Sequence, residues 1–261
     1  MKISIITPTY NSGKTIEENI RSVLEQKYHN WEQIIVDNHS SDKTLSIIKK
    51  FNNSKIKIMS EKDKGIYDAI NKGIFNASGE IISILHSDDF FSDNDTLTKI
   101  NNVFLNSDTD SVYGNLLYVK KNNKNKILRY WKSSVFKKGL FYIGWCPPHP
   151  SFFVKKKVHE KLGDYNIKFG NSSDFELMFR LLEKNNISSE YIDKILVTMR
   201  YGGASNKNLL NIIKQNFIIL KILGIEKNFM KIIKFLYFKL KERLKQFFIK
   251  PKKINENDYS I

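Results

Sequence analysis

The segment Ile81-Ile82-Ser83-Ile84-Leu85-His86-Ser87-Asp88-Asp89 decides the fold of this 261-residue chain, because an apolar run ends there in two adjacent carboxylates. The run has the length and β-branched content of a buried strand. Two ionised carboxylates side by side repel each other, and a divalent cation at a strand end would relieve that repulsion. The segment predicts a metal-diphosphate site. Taken alone, it is equally compatible with a helix N-cap or a turn, since Asp is favoured in both.

Strands and helices alternate through the first half of the chain around this segment. Strands are predicted over residues 3–7, 33–37, 55–59 and 80–85, and helices over residues 12–26, 42–51, 66–75 and 96–105. This interleaving predicts right-handed crossovers and an α/β fold, with a mostly parallel sheet flanked by helices on both faces.

The pattern changes after residue 110. Two strands over residues 111–119 and 126–131 suggest a hairpin around a polar turn at 120–125. A short helix over 133–140, a proline-rich turn at 146–150, a strand over 151–154, a helix over 174–183 and a last strand over 190–200 complete the prediction.

Composition sets limits on the class of protein. Hydrophobic residues make up 41% of the chain, which is enough for a core, and no run approaches the roughly 20 apolar residues that cross a bilayer. The apolar stretch at residues 3–6 is too short for a signal peptide. A single cysteine, Cys146, excludes an internal disulfide, so we expect a cytosolic protein.

The positive charge is concentrated near the C-terminus. Between residues 207 and 253 there are 13 Lys and Arg against two Glu, so this segment carries +11 of the total +16. Residues 208–250 also show apolar positions at helical spacing, which predicts a basic amphipathic helical tail. An anionic membrane surface suits such a tail, and the alternative is a helical pair that packs on the body. A nucleic-acid partner is disfavoured because the basic residues are interspersed with apolar residues along the helix.

Acidic residues follow three successive strands. Asp37 ends the second predicted strand, Asp63 follows the third, and Asp88 and Asp89 follow the fourth. Ligands of open α/β sheets bind outside the carboxyl ends of the strands, so we expect these carboxylates to converge on one crevice. The chain has no Gly-x-Gly-x-x-Gly and no Gly-x4-Gly-Lys-Ser/Thr loop, which argues against dinucleotide-binding and P-loop proteins.

Several motifs occur in the order and at the spacing of a known family. They are Ile6-Thr7-Pro8-Thr9-Tyr10-Asn11, Val36-Asp37-Asn38-His39-Ser40-Ser41-Asp42-Lys43-Thr44, Asp63-Lys64-Gly65-Ile66-Tyr67-Asp68-Ala69-Ile70-Asn71-Lys72-Gly73, Ala77-Ser78-Gly79-Glu80 and Leu85-His86-Ser87-Asp88-Asp89. With them the chain resembles a family 2 glycosyltransferase of the GT-A fold, of the type that builds bacterial surface polysaccharide or O-antigen. The resemblance covers residues 1–205 and is strongest over the first 115.

The resemblance implies a nucleotide-sugar site. Thr7, Pro8 and Tyr10 would form the wall against the base, and Asp37 would accept a hydrogen bond from the base edge, which favours uracil and a UDP-sugar. The segment after the third strand would close over the ribose and diphosphate, with contacts from Asp63, Gly65, Asp68, Asn71 and Lys72. Asp88 would complete this set.

The resemblance also implies a metal site and a general base. Asp88 is the expected ligand of Mn²⁺ or Mg²⁺, with Asp89 second; His86 stands where many members have the first Asp of their metal motif. Asp174 would be the catalytic base of an inverting transfer, with Glu176 as the alternative. A plain helix cap is the other interpretation of Asp174.

Acceptor contacts are expected from Trp145, His149 and Glu176, although a purely structural Trp145 is equally compatible with the sequence. We therefore expect residues 1–115 to bind a nucleotide-sugar, residues 116–205 to hold the acceptor and the base, and residues 206–261 to associate with the inner face of the cell membrane. The enzyme would glycosylate a lipid-linked glycan. The alternatives are a sugar-phosphate nucleotidyltransferase and a non-catalytic nucleotide-sugar or membrane-binding protein.

Overall fold

The computed structural model describes residues 1–202, 209–249 and 251. The strands are β1 (Ile3–Thr9), β2 (Trp31–Asp37), β3 (Ile56–Ser60), β4 (Ile81–Ile84), β5 (Phe90–Phe91), β6 (Ser111–Lys120), β7 (Asn123–Trp131), β8 (Phe152–Lys155) and β9 (Ser189–Arg200). The helices are α1 (Ile16–Leu24), α2 (Thr44–Lys49), α3 (Ile66–Phe75), α4 (Thr96–Asn106), α5 (Lys156–Leu162), α6 (Ser173–Met178), α7 (Leu209–Leu223) and α8 (Phe229–Phe248).

These strands form one sheet in the order β3-β2-β1-β4-β8-β6-β9-β5, with β7 paired to β6. The four strands from the first half are parallel, as predicted, and the register sets Thr9 beside Asp37 and Ile6 beside Ile84. Their carboxyl ends therefore share one edge. The second half is mixed, because β8 runs antiparallel to both β4 and β6 while β6 and β9 are parallel.

Alternation along β1 builds a core on each face of the sheet. Ile3 and Ile5 pack with α4 on one face, and Ile6 packs with α3, α6 and α7 on the other. This is the two-sided burial expected when helices cover both faces of a parallel sheet, and the predicted α/β architecture is confirmed.

The structure differs from the sequence predictions at four places. The helix predicted over 133–140 does not form: the Ser133 amide donates to Asn115 Oδ1 at 2.8 Å, and Gly139 takes a φ of 97°. A 3₁₀ turn, Leu140–Ile143, follows instead. The two-residue strand β5 and helix α5 were not predicted, and the turn between β6 and β7 is shorter than predicted.

The tail consists of two helices rather than one, because Gly224 at φ 67° ends α7. Both pack on the body: Ile219, Leu220 and Phe235 belong to the same buried cluster as Ile6. The predicted domain boundary at 205/206 lies outside the described residues, as do the tail positions Asn208, Lys250 and 252–261.

Candidate active site

The base-binding wall predicted at the end of β1 has one exposed member. Tyr10 is 60% exposed, whereas Thr7 and Pro8 are buried. The Thr7 hydroxyl accepts a hydrogen bond from Gln33 Nε2 at 3.0 Å, so this side chain is engaged inside the fold. Tyr10 is therefore the member of this group that is free to stack on a base.

Asp37, at the end of β2, is fully buried and organises the loop that follows. Its Oδ2 accepts hydrogen bonds from the Ser40 amide at 3.0 Å and from Ser60 Oγ at 2.9 Å, and its Oδ1 accepts from Ser40 Oγ. A carboxylate has about four acceptor positions, so one remains on Oδ1.

The segment between β3 and α3 is tied at both ends. The Asp63 amide donates to Asn38 Oδ1 at 3.0 Å, and Asp63 Oδ1 accepts from the Gly65 amide at 2.8 Å. Burial raises the pKa of Asp63. Gly65, at φ 119°, adopts a conformation that L side chains rarely take and starts α3. The loop thus has a defined shape at the edge shared by β1, β2 and β4.

Helix α3 braces this loop through its polar residues. Asp68 Oδ2 accepts from the Lys64 amide at 3.0 Å, and Lys72 Nζ donates to the Lys62 carbonyl at 2.8 Å. Asn71 faces elsewhere: it exchanges two hydrogen bonds with the Tyr165 backbone, at 2.8 and 3.0 Å. Asn71 therefore links α3 to the segment that follows α5, whereas Asp68 and Lys72 hold the loop before α3.

The carboxylates after β4 have different surroundings. Asp88 is half-exposed, whereas Asp89 is fully buried and both its carboxylate oxygens lack a hydrogen-bond partner among the described residues. Burial, together with the charge of Asp88, raises the pKa of Asp89 well above its usual range. Asp88 is accordingly the more accessible member of the pair.

Asp174 begins α6 and lies across the crevice from His86. Its Oδ1 accepts from the Phe175 amide at 2.8 Å, which is the local contact of a helix start. Burial raises the pKa of Asp174. Burial lowers the pKa of His86 to about 4, as does His149, while the charges of Asp88 and Asp174 oppose this change. His86 therefore lies near both carboxylates and is uncharged near neutral pH.

Aromatic and histidine rings line this part of the crevice. His149 Nε2 lies 2.9 Å from the Tyr165 hydroxyl, and the rings of His86 and His149 are 5.6 Å apart. Tyr67 stacks on Tyr165 at 5.4 Å, and the charge of Asp174 helps burial to raise the pKa of Tyr67 well above its usual range. The structure thus places His149 beside His86 and Tyr165.

The other two predicted acceptor residues make mainly structural contacts. Trp145 stacks on Phe136 at 5.8 Å and meets Phe141 edge-on at 5.7 Å. Glu176 pairs with Arg180, with Oε1 2.8 Å from Nε and Oε2 3.2 Å from a terminal nitrogen. Because Glu176 is buried in this ion pair, Asp174 is the freer carboxylate for proton transfer.

The sequence analysis did not identify two residues that hold the turn carrying Asp88 and Asp89. Asn19 of α1 is fully buried, and its Nδ2 donates to the carbonyls of His86 at 2.8 Å and Asp89 at 2.9 Å. Arg200 at the end of β9 donates to the Asp88 carbonyl and pairs with Glu18. These contacts span 67 to 182 positions along the chain, so no local pattern indicates them.

The donor set at the metal motif fits a hard cation that is shared with substrate phosphates. Across residues 1–202, 209–249 and 251, no group of three or more His, Cys, Asp or Glu side chains could hold a metal ion by itself. Mg²⁺ typically takes one or two protein carboxylates and fills its other positions with water and phosphate oxygens. Half-exposed Asp88, backed by the unpartnered Asp89, meets that requirement.

Comparison with known proteins identifies relatives of the chain. Residues 4–163 match the family described as Glycosyl transferase family 2. The chain is 38% identical, over 72% of each chain, to UDP-Glc:alpha-D-GlcNAc-diphosphoundecaprenol beta-1,3-glucosyltransferase WfgD of Escherichia coli. It is 26% identical, over 78% of each, to a PGL/p-HBAD biosynthesis glycosyltransferase of Mycobacterium bovis.

Solved structures share the fold. A crystal structure of S. aureus TarS aligns with a TM-score of 0.66 at 20% identity, covering 94% of this chain and 72% of that one. Mannosyltransferase PcManGT from Pyrobaculum calidifontis, in complex with GDP-Man and Mn²⁺, aligns with a TM-score of 0.61 at 18% identity, covering 92% and 69%. The fold is that of GT-A transferases. The chain belongs to glycosyltransferase family 2 and is a glycosyltransferase.

Proposed function

We propose that this enzyme moves a sugar, with inversion, from a UDP-linked donor to a hydroxyl of a lipid-linked glycan in bacterial surface-polysaccharide synthesis. The observation that carries the proposal is the convergence of Asp88, after β4, and Asp174, at the start of α6, around His86. The name of the E. coli relative supports the substrate classes, since it specifies UDP-Glc and a sugar on diphosphoundecaprenol.

Asp174 is the proposed general base. The attacking hydroxyl must lose its proton as it bonds to the anomeric carbon, and a carboxylate within hydrogen-bond reach accepts it. The raised pKa of Asp174 makes this carboxylate a stronger base than an exposed aspartate. His86 and His149, whose pKa values burial lowers to about 4, are uncharged near neutral pH and are weak bases.

Asp88 is the proposed ligand of Mn²⁺ or Mg²⁺, and Asp89 supports it. When bound, the cation would neutralise the charge that grows on the departing diphosphate. Asn19 binds the backbone carbonyls of His86 and Asp89, and Arg200 binds that of Asp88, which holds the turn that carries Asp88. On the donor side, Tyr10 and Asp37 would contact the base, and the loop from Asp63 to Lys72 would cover the ribose and diphosphate.

We also propose that the outward face of α8 rests on the inner surface of the cell membrane. Leu240 and Leu244 are 58% and 50% exposed, and they line an apolar groove of about 480 Å³ with Lys241 and Lys245 at its rim. Exposed apolar side chains flanked by lysines suit the boundary of an anionic bilayer. No helix within the described ranges is long and apolar enough to span a membrane.

Nucleotide release tests the function directly. The purified protein is incubated with Mn²⁺ or Mg²⁺, a panel of UDP- and other nucleotide-sugars, and diphospholipid-linked acceptors, and free nucleotide diphosphate is measured. We expect metal-dependent release that rises when the matching acceptor is added, and loss of release after chelation. If no donor gave metal-dependent release with any lipid-linked acceptor, the proposed donor and metal chemistry would be wrong.

A further inference from the structure

Three cationic side chains gather where α8 meets the body. Arg129 of β7 is 7% exposed, and its Nε donates to Gln246 Oε1 of α8 at 2.6 Å. Lys239, Arg243 and Gln246 follow one another at spacings of four and three, so they share one face of α8. That face is directed toward β7 rather than toward the apolar groove.

The side chains that Arg129 and Lys239 contact directly are neutral. The Arg129 guanidinium lies over the rings of Tyr118 at 4.6 Å and Trp131 at 5.1 Å, and Lys239 Nζ donates to Asn216 Oδ1 at 2.7 Å. Within residues 1–202 and 209–249, none of the three cations forms an ion pair with a carboxylate, whereas sixteen such pairs form elsewhere.

Buried like charges without a counter-charge are unfavourable. Burial lowers the pKa of Arg129 and of Lys239, and the charge of Arg243 lowers both further. The charge of Asp174 opposes the change for Lys239, and around the buried Arg129 the cluster carries an excess of positive charge. An anion that bound there would relieve the repulsion and gain charge-assisted hydrogen bonds.

The cluster borders the crevice that contains Asp174. Burial raises the pKa of Cys146 to about 12, to which the charge of Asp174 contributes, while Lys239 and Arg129 act in the opposite direction. Cys146 is therefore close to both the base and the cations. Gly144 lets α8 sit directly on this loop, since a Cβ there would lie 2.5 Å from Lys239 Cβ.

We propose that Arg129, Lys239 and Arg243 form a subsite for the diphosphate of a lipid-linked acceptor. The inference rests on the proposed function and adds to it the group by which the acceptor is held. A sugar attached to that diphosphate would lie toward Asp174, and the lipid would leave past α8 toward the bilayer. The donor diphosphate is the competing occupant, but its predicted contacts lie on the edge formed by β1, β2 and β4 rather than on β7 and α8.

Binding of a short diphospholipid tests the subsite without any knowledge of the sugar. Affinities of the full chain for geranyl diphosphate, for geraniol and for UDP with Mn²⁺ are measured by calorimetry. We expect tighter binding of geranyl diphosphate than of geraniol. We also expect Lys239→Gln and Arg243→Gln each to weaken geranyl diphosphate binding about tenfold and to leave UDP binding within twofold.

Lys241→Gln and Lys245→Gln are the matched controls, because these lysines lie on the same helix but at the rim of the outward groove. They should change neither affinity by more than twofold. The subsite is wrong if the two controls lose as much geranyl diphosphate binding as the two test variants. It is also wrong if the test variants weaken UDP binding equally, which would assign the cations to the donor, or if geraniol binds as tightly as geranyl diphosphate.

The salt dependence of binding provides a second measurement. Affinity of the wild-type chain for geranyl diphosphate should fall as KCl is raised, and Arg243→Gln should reduce that slope; an unchanged slope would contradict the subsite. Circular dichroism melting shows whether each variant is folded, and either variant alone suffices for the test. Failure of the proposed function would appear separately, as diphospholipid binding through the cluster without nucleotide release from any donor.

Discussion

Asp174 is held among groups that burial keeps uncharged. His86 and His149 both have a pKa of about 4, and burial raises the pKa of Asp174 and of the neighbouring tyrosine, Tyr67. When Asp174 takes the proton of an acceptor hydroxyl, few neighbouring charges therefore offset the change in its own charge. This makes the carboxylate sensitive to substitution and to pH.

Asp174→Asn should reduce sugar transfer at least about 100-fold, because an amide cannot accept the proton. Binding of UDP with Mn²⁺ should stay within twofold, since Asp174 belongs to the acceptor side. Initial rates and calorimetry measure the two effects. Asp108→Asn is the control, because the Asp108 side chain is 99% exposed. Retained transfer in Asp174→Asn together with loss in Glu176→Gln would move the base to Glu176.

The rate of transfer should fall in acid as Asp174 becomes protonated. Because its pKa in the folded protein is raised, the base form is fully present well above that pKa and is lost as the pH falls through it. The acid limb of kcat/KM should thus lie at a higher pH than an exposed aspartate, with a usual pKa of about 3.9, would give. A limb at or below that usual value would contradict the role of Asp174.

His149 should make the fold less stable in acid. Its pKa is about 4 in the folded chain and about 6.5 when unfolded, so the unfolded state binds more protons as the pH falls below 6.5. The contribution of His149 to the free energy of unfolding is fully present above pH 6.5, and about 2 kcal/mol of it should be lost by pH 5. Urea unfolding at pH 7.5 and pH 5 measures it. His149→Asn should reduce the loss of stability in acid by this amount and leave the part due to His86, whose pKa is also about 4. A variant of the exposed His29, His29→Asn, should keep the full dependence.

At the scale of elements, the parallel half of the sheet could be predicted because its local signals agree. Each of its strands is a short apolar run, and each is followed by turn residues and an amphipathic helix. Strand ends then identify Asp37, Asp63 and Asp88. The same logic fails for β5, which has two residues, and for residues 133–140, where long-range contacts to Asn115 override local helix preference.

Asn19 shows why the residues that support the site could not be predicted from the sequence. It sits on the buried face of α1, and its two donated hydrogen bonds reach the β4–β5 turn, while its Oδ1 accepts from Gln33 Nε2 at 2.9 Å. A polar residue in an amphipathic helix has many possible explanations. Only the sheet topology, with β4 beside β1, brings this turn to the start of α1.

Asn19→Ala should destabilise the protein by about 2–4 kcal/mol, because it leaves buried carbonyls without donors. The affinity for UDP with Mn²⁺ should also fall, since the turn that carries Asp88 loses its anchor. Urea unfolding and calorimetry measure the two effects. Asn76→Ala is the matched control: Asn76 is exposed at the end of α3, and its loss should cost less than about 0.5 kcal/mol. Equal costs for both variants would show that the Asn19 contacts add nothing.

At the scale of the whole molecule, the tail helices pack one face on the catalytic body and expose the other to solvent. Phe235 of α8 is fully buried among residues of the catalytic body, whereas Phe229, Leu240 and Leu244 of the same helix are at least half exposed. Removal of the whole tail would therefore uncover the core as well as the outward face. Point substitutions separate the two roles, and Phe235→Ala should cost about 3–5 kcal/mol against less than about 0.5 kcal/mol for Phe229→Ala.

The double variant Leu240→Asp/Leu244→Asp should reduce sedimentation with anionic phospholipid vesicles at least about tenfold and leave thermal unfolding nearly unchanged, because both side chains are exposed. A charged residue in place of each leucine removes apolar contact and repels anionic lipid. Leu105→Asp is the control: Leu105 is 62% exposed on α4, which covers the opposite face of the sheet from α7 and α8. Unchanged sedimentation of the double variant, or an equal loss in Leu105→Asp, would show that α8 is not the surface that meets the membrane.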